Sequence, residues 1–299
     1  MAIVPYSGQV SYDDIRSQFG SPSNFSLSEA WGGTYGGLNG YSYIQPVNPG
    51  VSDYSPNQWY GYVGDYIYTT GLVTTYDGWP YVGSYPGSGN NIIDTNGSPP
   101  HNATMVNGTT WTNTYGGYFT FDGTDDNIRG TSPYYTFTNQ VTVDFWVKWD
   151  VNTNINYGQG IGQAVLYNYD NPGDTMWLMH GNGGGQNSVS FHVKGYPDIN
   201  LGGATTSQLT MGSWYNIIGT MDSGGSAIYL NGTQEATAGG FGGINMNTKS
   251  NSVLYLGGDV RFDFRFMNGS IAACHIYNVA LTQAQVTQNF NALRGRFGI

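Results

Sequence analysis

Cysteine is nearly missing from this sequence: Cys274 stands alone among 299 residues. A single thiol excludes an intrachain disulfide and any zinc site built from several cysteines, so stability must come from packing. Cations are scarce too, with 9 Lys+Arg against 19 Asp+Glu and a formal net charge of −10. A phosphate backbone needs clustered Lys and Arg, and none is visible, which excludes a nucleic-acid groove and disfavours an anionic membrane surface. No apolar run approaches the roughly 20 residues of a membrane span. The opening MAIVPYSGQVSYDD has neither the basic nor the apolar region of a signal peptide, so synthesis in a cytosol is expected. Glutamate is the third scarcity, present only as Glu29 and Glu235.

What is abundant points to strands and turns. Gly at 46, Tyr at 25 and an aromatic content of 15% provide turn residues and core material together. The length suits one large β-domain of about 200 to 250 residues with a small extra piece, or two ordinary domains. The most legible stretch is MGSWYNIIGTMDSGGSAIYLNGT at 211–233. Trp214, Asn216, Ile218 and Thr220 alternate with Tyr215, Ile217, Gly219 and Met221, and Ala227 to Leu230 resume after a Gly-rich loop, which predicts a hairpin. Asn231-Gly232 predicts a further turn with positive φ. In VTVDFWVKWD at 141–150, Val141, Val143, Phe145, Val147 and Trp149 share the face expected to be core.

Further strands are expected from Leu72, at 118–123, 127–130, 164–169, 175–179, 188–194, 253–257 and 269–277, with a turn at 105–108. Strands this numerous, without helices between them, predict a mainly β, antiparallel sandwich of the jelly-roll kind. The period then changes. Thr282 caps a C-terminal helix through Leu293, with Val286, Phe290 and Leu293 on one face and Arg294 and Arg296 near its end. Asn-x-Ser/Thr triplets at Asn24, Asn96, Asn102, Asn107, Asn231 and Asn268 read as turn residues.

Residues 1–40 follow another grammar. Ser11 caps a short helix with Asp13 and Asp14 in its first turn, Ile15 and Phe19 four apart, and Gly20 as a stop. Ser26 and Glu29 form a capping box, Phe25 and Ala30 sit at staple positions, and Gly32-Gly33 ends this second helix. Two short helices bury no core of their own, so they should dock on the same chain, a sister subunit or a larger assembly. Residues 41–70 are a Tyr/Pro/Gly-rich connector in which 59–68 reads equally as an edge strand or a packed segment.

Two resemblances attach to these residues. SYDDIRSQFG followed by SLSEAW resembles the short N-terminal module of many tailed-bacteriophage virion proteins. GLVTTYDGWPYVGSYPGSG, ATMVNGTT, GGYFTFDGTDDNI, VTVDFWVKW, GSWYNIIGTMD, AIYLNGT, LYLGG, FMNGSIAACHIYNVALTQAQV and QNFNALRGRFGI resemble, in order over about 71–299, the laminin-G-like jelly roll of the concanavalin A-like lectin and glucanase superfamily. The threonine-rich VTTYD departs from that pattern where a more apolar first strand is expected. Together the resemblances imply a non-enzymatic bacteriophage structural protein, a capsid, neck or tail decoration or fibre. It would be assembled in a bacterial cytoplasm and carried on the virion exterior, with other virion proteins as partners and as a homo-oligomer. Ile15, Phe19, Phe25, Leu27 and Trp31 would carry the particle docking. The alternative is a glycan-binding adhesin for host attachment, and then a glycan hydrolase.

Glucanases of this fold use paired strand-borne carboxylates, and such chemistry needs two carboxyls about 5 to 9.5 Å apart. Glu29 and Glu235 offer no such pair, and Asp144 stands alone among apolar neighbours on its strand. His101, His180, His192 and His275 are scattered and form no triad pattern. No enzyme is expected. Asp122, Asp125 and Asp126 read either as a calcium loop or as ordinary turn residues; no other cofactor is expected. Trp79, Trp146 and Trp177 are candidates for stacking on sugar rings, with burial as the competing explanation.

Overall fold

Alternation along two long strands builds the centre of the molecule. In the computed structural model, which describes residues 67–79, 84–130, 137, 139–151, 164–167, 176–181, 188–195, 199–204, 207–239, 253–258 and 266–299, Val141–Trp149 (β7) lies between Trp214–Asp222 (β12) and Asn268–Tyr277 (β16), antiparallel to both. For 164–167, 176–181, 192–195, 199–204 and 253 the backbone alone is described. The helices expected within 1–40, with their docking residues Ile15, Phe19, Phe25, Leu27 and Trp31, and most of the connector lie outside the described residues.

The first sheet continues outward on the β12 side through Gly225–Leu230 (β13) to Thr233–Gly239 (β14). On the other side, β16 presents a single edge that two strands share. Leu72–Asp77 (β1) pairs along 273–277, and Tyr118–Asp122 (β5), followed by Thr110–Thr112 (β4), pairs along 268–271. The second sheet runs from Ile199–Ala204 (β11) through Val189–Gly195 (β10), Met176–Gly181 (β9), Ala164–Tyr167 (β8), Val253–Leu256 (β15), Asn127–Gly130 (β6) and Ala103–Val106 (β3) to Asn91–Ile92 (β2). Every pairing is antiparallel, so the described strands form the mainly β antiparallel sandwich of a jelly roll.

The face of β7 expected to be core is core. Val141, Val143, Phe145, Val147 and Trp149 join Ile217 and Met221 of β12, Ile271 and Ile276 of β16, and Val189, Phe191, Leu254 and Leu256 of the opposing sheet. Gly219 keeps the layers close: a Cβ there would come within 2.5 Å of the Phe191 ring. The opposite face of the first sheet is buried as well, with Thr142, Asp144, Trp146, Asn216 and His275 all at most 1% exposed.

The threonine-rich first strand forms in full. Thr74, Thr75 and Asp77 are buried; the loop after β2 meets Thr75, where Asp94 accepts its N–H at 3.0 Å and Asn96 donates to its Oγ1 at 2.7 Å, and Asp77 Oδ1 accepts the Trp79 N–H. Five elements were not expected as strands. β2, β3 and β4 are too short for a period, β3 overlapping the turn expected at 105–108, β11 is INLGGA, and β14 is the polar TQEATAG at a sheet edge. The turns follow their chemistry: Asn107 and Asn231 take φ of 59° and 49°, and Gly224 N–H donates to Asp222 Oδ1 at 2.7 Å between β12 and β13.

The chain divides into two compact units, Thr69–Gln283 and a second one to which Ala284–Ile299 belongs with Met1–Tyr68. Gln283–Phe297 (α1) runs four residues beyond its expected end, through Gly295. Its buried residues are Val286, Asn289, Ala292, Leu293 and Phe297, whereas Phe290 is half-buried. Asn289 takes an inward position because its Oδ1 accepts the Tyr68 N–H at 2.7 Å. No helix among the described residues is long and apolar enough to cross a membrane.

Candidate functional site

Strand register assembles a polar centre on the outer face of the first sheet. Asp144 stands opposite Ile218 on β12 and His275 on β16, one rung from Asn216. Asn216 Nδ2 donates to Asp144 Oδ1 at 2.7 Å and to the Phe145 carbonyl at 3.2 Å, and His275 Nδ1 lies 3.3 Å from Asp144 Oδ2. His275 Nε2 and Asn216 Oδ1 are buried without a hydrogen-bond partner. A carboxylate with no route to solvent cannot activate water on a sugar, so this group orders three strands instead. On the core side, burial pushes the Cys274 thiol well up, helped by the charges of Asp144 and Asp94, which leaves it an inert apolar side chain.

A second centre ties β1 to the loop after β2. Asp94 accepts backbone N–H groups from Thr75 at 3.0 Å, Asn96 at 3.1 Å and His101 at 2.9 Å, and its Oδ2 lies 3.3 Å from His101 Nδ1. Burial alone would raise its carboxyl, but these bonds together outweigh burial and hold it below the usual range. Tyr76 OH donates to the His101 carbonyl.

The other strand-borne acids are likewise engaged. Asp77 Oδ1 accepts the Trp79 N–H at 2.8 Å, Asp122 Oδ1 that of Thr124 at 2.7 Å and Asp222 Oδ1 that of Gly224 at 2.7 Å. Glu235 accepts from Ser207 N–H at 2.9 Å and Ser207 Oγ at 2.8 Å.

The Asp122, Asp125 and Asp126 cluster does form. One oxygen from each carboxyl lies within 4.8 Å of the others, with Asp122 and Asp125 exposed and Asp126 buried. Asp126 Oδ2 accepts the Asp122 N–H at 3.0 Å, while its Oδ1 is buried against Gly108. Burial raises the Asp126 carboxyl against the backbone N–H groups of Asp122 and Gly108, and the charges of Asp122 and Asp125 add to the rise. Three converging carboxylate oxygens are of the kind a hard cation such as calcium takes.

Two of the three tryptophans expected to stack on sugars are buried. Trp79 is 6% exposed and Trp146 is fully buried on the outer face of β7, so neither ring face is open. The side chain of Trp177 lies outside the described residues.

An aromatic corner that sequence reasoning missed lies at the end of the same sheet. Trp214 pairs with Lys148, Lys148 with Ser270 and Ser270 with Thr120, which sets one row across β12, β7, β16 and β5. Tyr118 lies beside that row, its ring 5.2 Å from Trp214 at 67°. Tyr115, in the turn before β5, adds a third ring 6.1 Å from Trp214 and 6.5 Å from Tyr118. Lys148 Nζ sits 5.8 Å from the centre of the Tyr118 ring and 3.0 Å from Asp150 Oδ1. Ser270 Oγ is buried without a partner. The run TYGGYFTF carries the only local signal, aromatics flanking a turn.

No curated protein matches this sequence. Among solved structures, domain 4 of the extracellular GH43 arabinanase AbnA from Geobacillus stearothermophilus, in complex with arabinotriose, is similar with a TM-score of 0.55 and 20% identity, over 73% of this chain and 97% of that one. The binding domain of Paraclostridial Mosquitocidal Protein 1 gives 0.54 at 16% identity, over 74% of this chain and 52% of that one. A botulinum neurotoxin type C structure, reported with cell entry dependent on two ganglioside molecules, gives 0.53 at 14%, over 75% and 52%. The chain thus spans about half of each toxin chain, and these likenesses establish the fold. Residues 122–287, more than half of the sequence, match the family whose blocks the strands follow. The chain belongs to the concanavalin A-like lectin/glucanases superfamily.

Proposed function

We propose that this chain is a non-enzymatic structural protein of a bacteriophage particle, anchored by its N-terminal segment and displaying the jelly roll on the virion exterior as decoration or fibre. The non-enzymatic part rests on one observation: each carboxylate carried by a described strand accepts a hydrogen bond from its own chain, and Asp144, the most central, is 1% exposed. Hydrolysis of a glycoside asks for two carboxyls facing a shared substrate. The anchoring part rests on SYDDIRSQFG and SLSEAW, and the net charge of −10 keeps such a surface away from nucleic acid. Other virion proteins and further copies of this chain are its partners. Calcium at Asp122, Asp125 and Asp126 belongs to the same proposal as a loop-stabilising ion. The test is deletion of residues 1–40: the truncated protein should fold yet be missing from purified particles by mass spectrometry. Incorporation at normal stoichiometry would refute the anchor, and polysaccharide cleavage by the purified full chain would refute the non-enzymatic reading.

A second reading, a glycan-binding adhesin, is favoured by the aromatic corner and by the sugars in the neighbours' descriptions, arabinotriose and gangliosides. It is compatible with particle display.

A further inference from the structure

Tyr115 occupies a position where backbone geometry argues against it. Its φ is 52° and its ψ 34°, and the next two residues, Gly116 and Gly117, also have positive φ. Glycine takes that conformation freely and asparagine with little strain, as Asn107 and Asn231 do at other turns; a bulky ring does not. Nor is the ring held there by burial, since Tyr115 is 48% exposed. Strain kept at an exposed side chain points to what that side chain meets.

What it meets is a preorganised corner. The turn is pinned below by Trp111 Nε1, which donates to the Gly78 carbonyl at 2.7 Å, and by Gly117 N–H, which donates to the Thr114 carbonyl at 2.9 Å. A side chain at Gly117 would run into the Gly78 carbonyl, so the loop has one seat. Trp214 forms the back of the corner, Tyr118 one wall and Tyr115 the other, with the Lys148–Asp150 pair and the unpartnered Ser270 Oγ in and beside the Trp214–Lys148–Ser270–Thr120 row.

We propose that the exposed Tyr115 and the half-buried Tyr118, backed by the buried Trp214, form with Lys148 and Asp150 a binding site for a neutral pyranose unit of an oligosaccharide. The C–H faces of a pyranose pack on aromatic rings, while its hydroxyls donate to Asp150 and accept from Lys148. Because the ammonium is already neutralised by Asp150 at 3.0 Å, a uronate or sialate gains no unmatched cation here, and the chain's net charge of −10 opposes it. The rigid seat limits the ordering cost of binding. This site deepens the glycan-binding reading and is independent of any particle anchor.

The experiment probes the full chain on an array of neutral and acidic oligosaccharides, then measures the best neutral glycan by calorimetry against wild type and Tyr115→Gly. Tyr115→Gly relieves the backbone, so its melting temperature should stay level or rise while affinity falls by about tenfold or more, the worth of one ring contact. Tyr115→Phe should keep most of the affinity. Retention of no neutral glycan by wild type would overturn the site and the glycan reading together. Undiminished binding by Tyr115→Gly would overturn the site alone. A preference for acidic glycans would overturn the ligand class, and a lower melting temperature for Tyr115→Gly would make Tyr115 a structural residue and overturn its role here.

Discussion

Asn216 Nδ2 donates to Asp144 Oδ1 at 2.7 Å across two strands, where both residues are at most 1% exposed. Removing the donor leaves a buried carboxylate with less compensation, and bonds to charged groups are worth about 1.5 to 3 kcal/mol. Asn216→Ala should therefore lower unfolding free energy by about 2 to 3 kcal/mol in urea titration. Adding Asp144→Ala to that variant should cost much less than Asp144→Ala alone. Additive losses in the double-mutant cycle would show that the pair is not coupled.

Acid stability should depend on Asp94. Its folded-state carboxyl is held below the ordinary carboxylate value of about 3.9 by bonds from His101, Thr75 and Asn96 that outweigh burial. The stability it contributes is thus present above the unfolded value and lost as pH falls through the folded one. Asp94→Asn should cost about 1 to 3 kcal/mol at neutral pH and flatten the acid limb below about pH 4. Equal pH slopes for the two proteins would remove Asp94 from that role.

Asp126 should behave in the opposite sense. Its raised carboxyl means that the folded state holds a proton more tightly, so the benefit is present at low pH and lost as pH rises through the folded value. Asp126→Asn should be neutral or slightly stabilising at pH 7 without calcium. With calcium at about 100 times its dissociation constant, wild type should gain about 2.7 kcal/mol and the variant should not. A melting temperature indifferent to millimolar calcium in wild type would leave these acids as turn residues.

Layer spacing is open to test at Gly219. A methyl group there would lie 2.5 Å from the Phe191 ring, so Gly219→Ala should destabilise by about 1 to 3 kcal/mol. Phe191→Leu in the same chain should recover part of the loss. A Gly219→Ala protein that melts with wild type would mean that the sheets separate at little cost.

Strands with a buried and a distinct second face were legible in the sequence, and β7 shows why: alternation of Val141, Val143, Phe145 and Val147 with Thr142, Asp144, Trp146 and Lys148 fixes the register. β14 was not, because TQEATAG at an edge is exposed or half-exposed throughout and leaves no burial rhythm. Asp144 looked solitary because its partners come from 72 and 131 residues away. The same distance effect hid the aromatic corner, where Tyr115 and Trp214 stand about a hundred residues apart and meet only through the β5–β16–β7–β12 row. Trp146 was an ambiguous choice for the opposite reason: no pattern along β7 reveals that its second face is covered too.

The shared edge of β16 governs when the domain can mature. β1 waits for a partner about 200 residues downstream, and β5 and β7 wait for the same segment, so a nascent chain still short of 268–277 carries three exposed ladders at once. The first sheet therefore cannot close until 268–277 has been made, and copies terminated before that segment should be aggregation-prone.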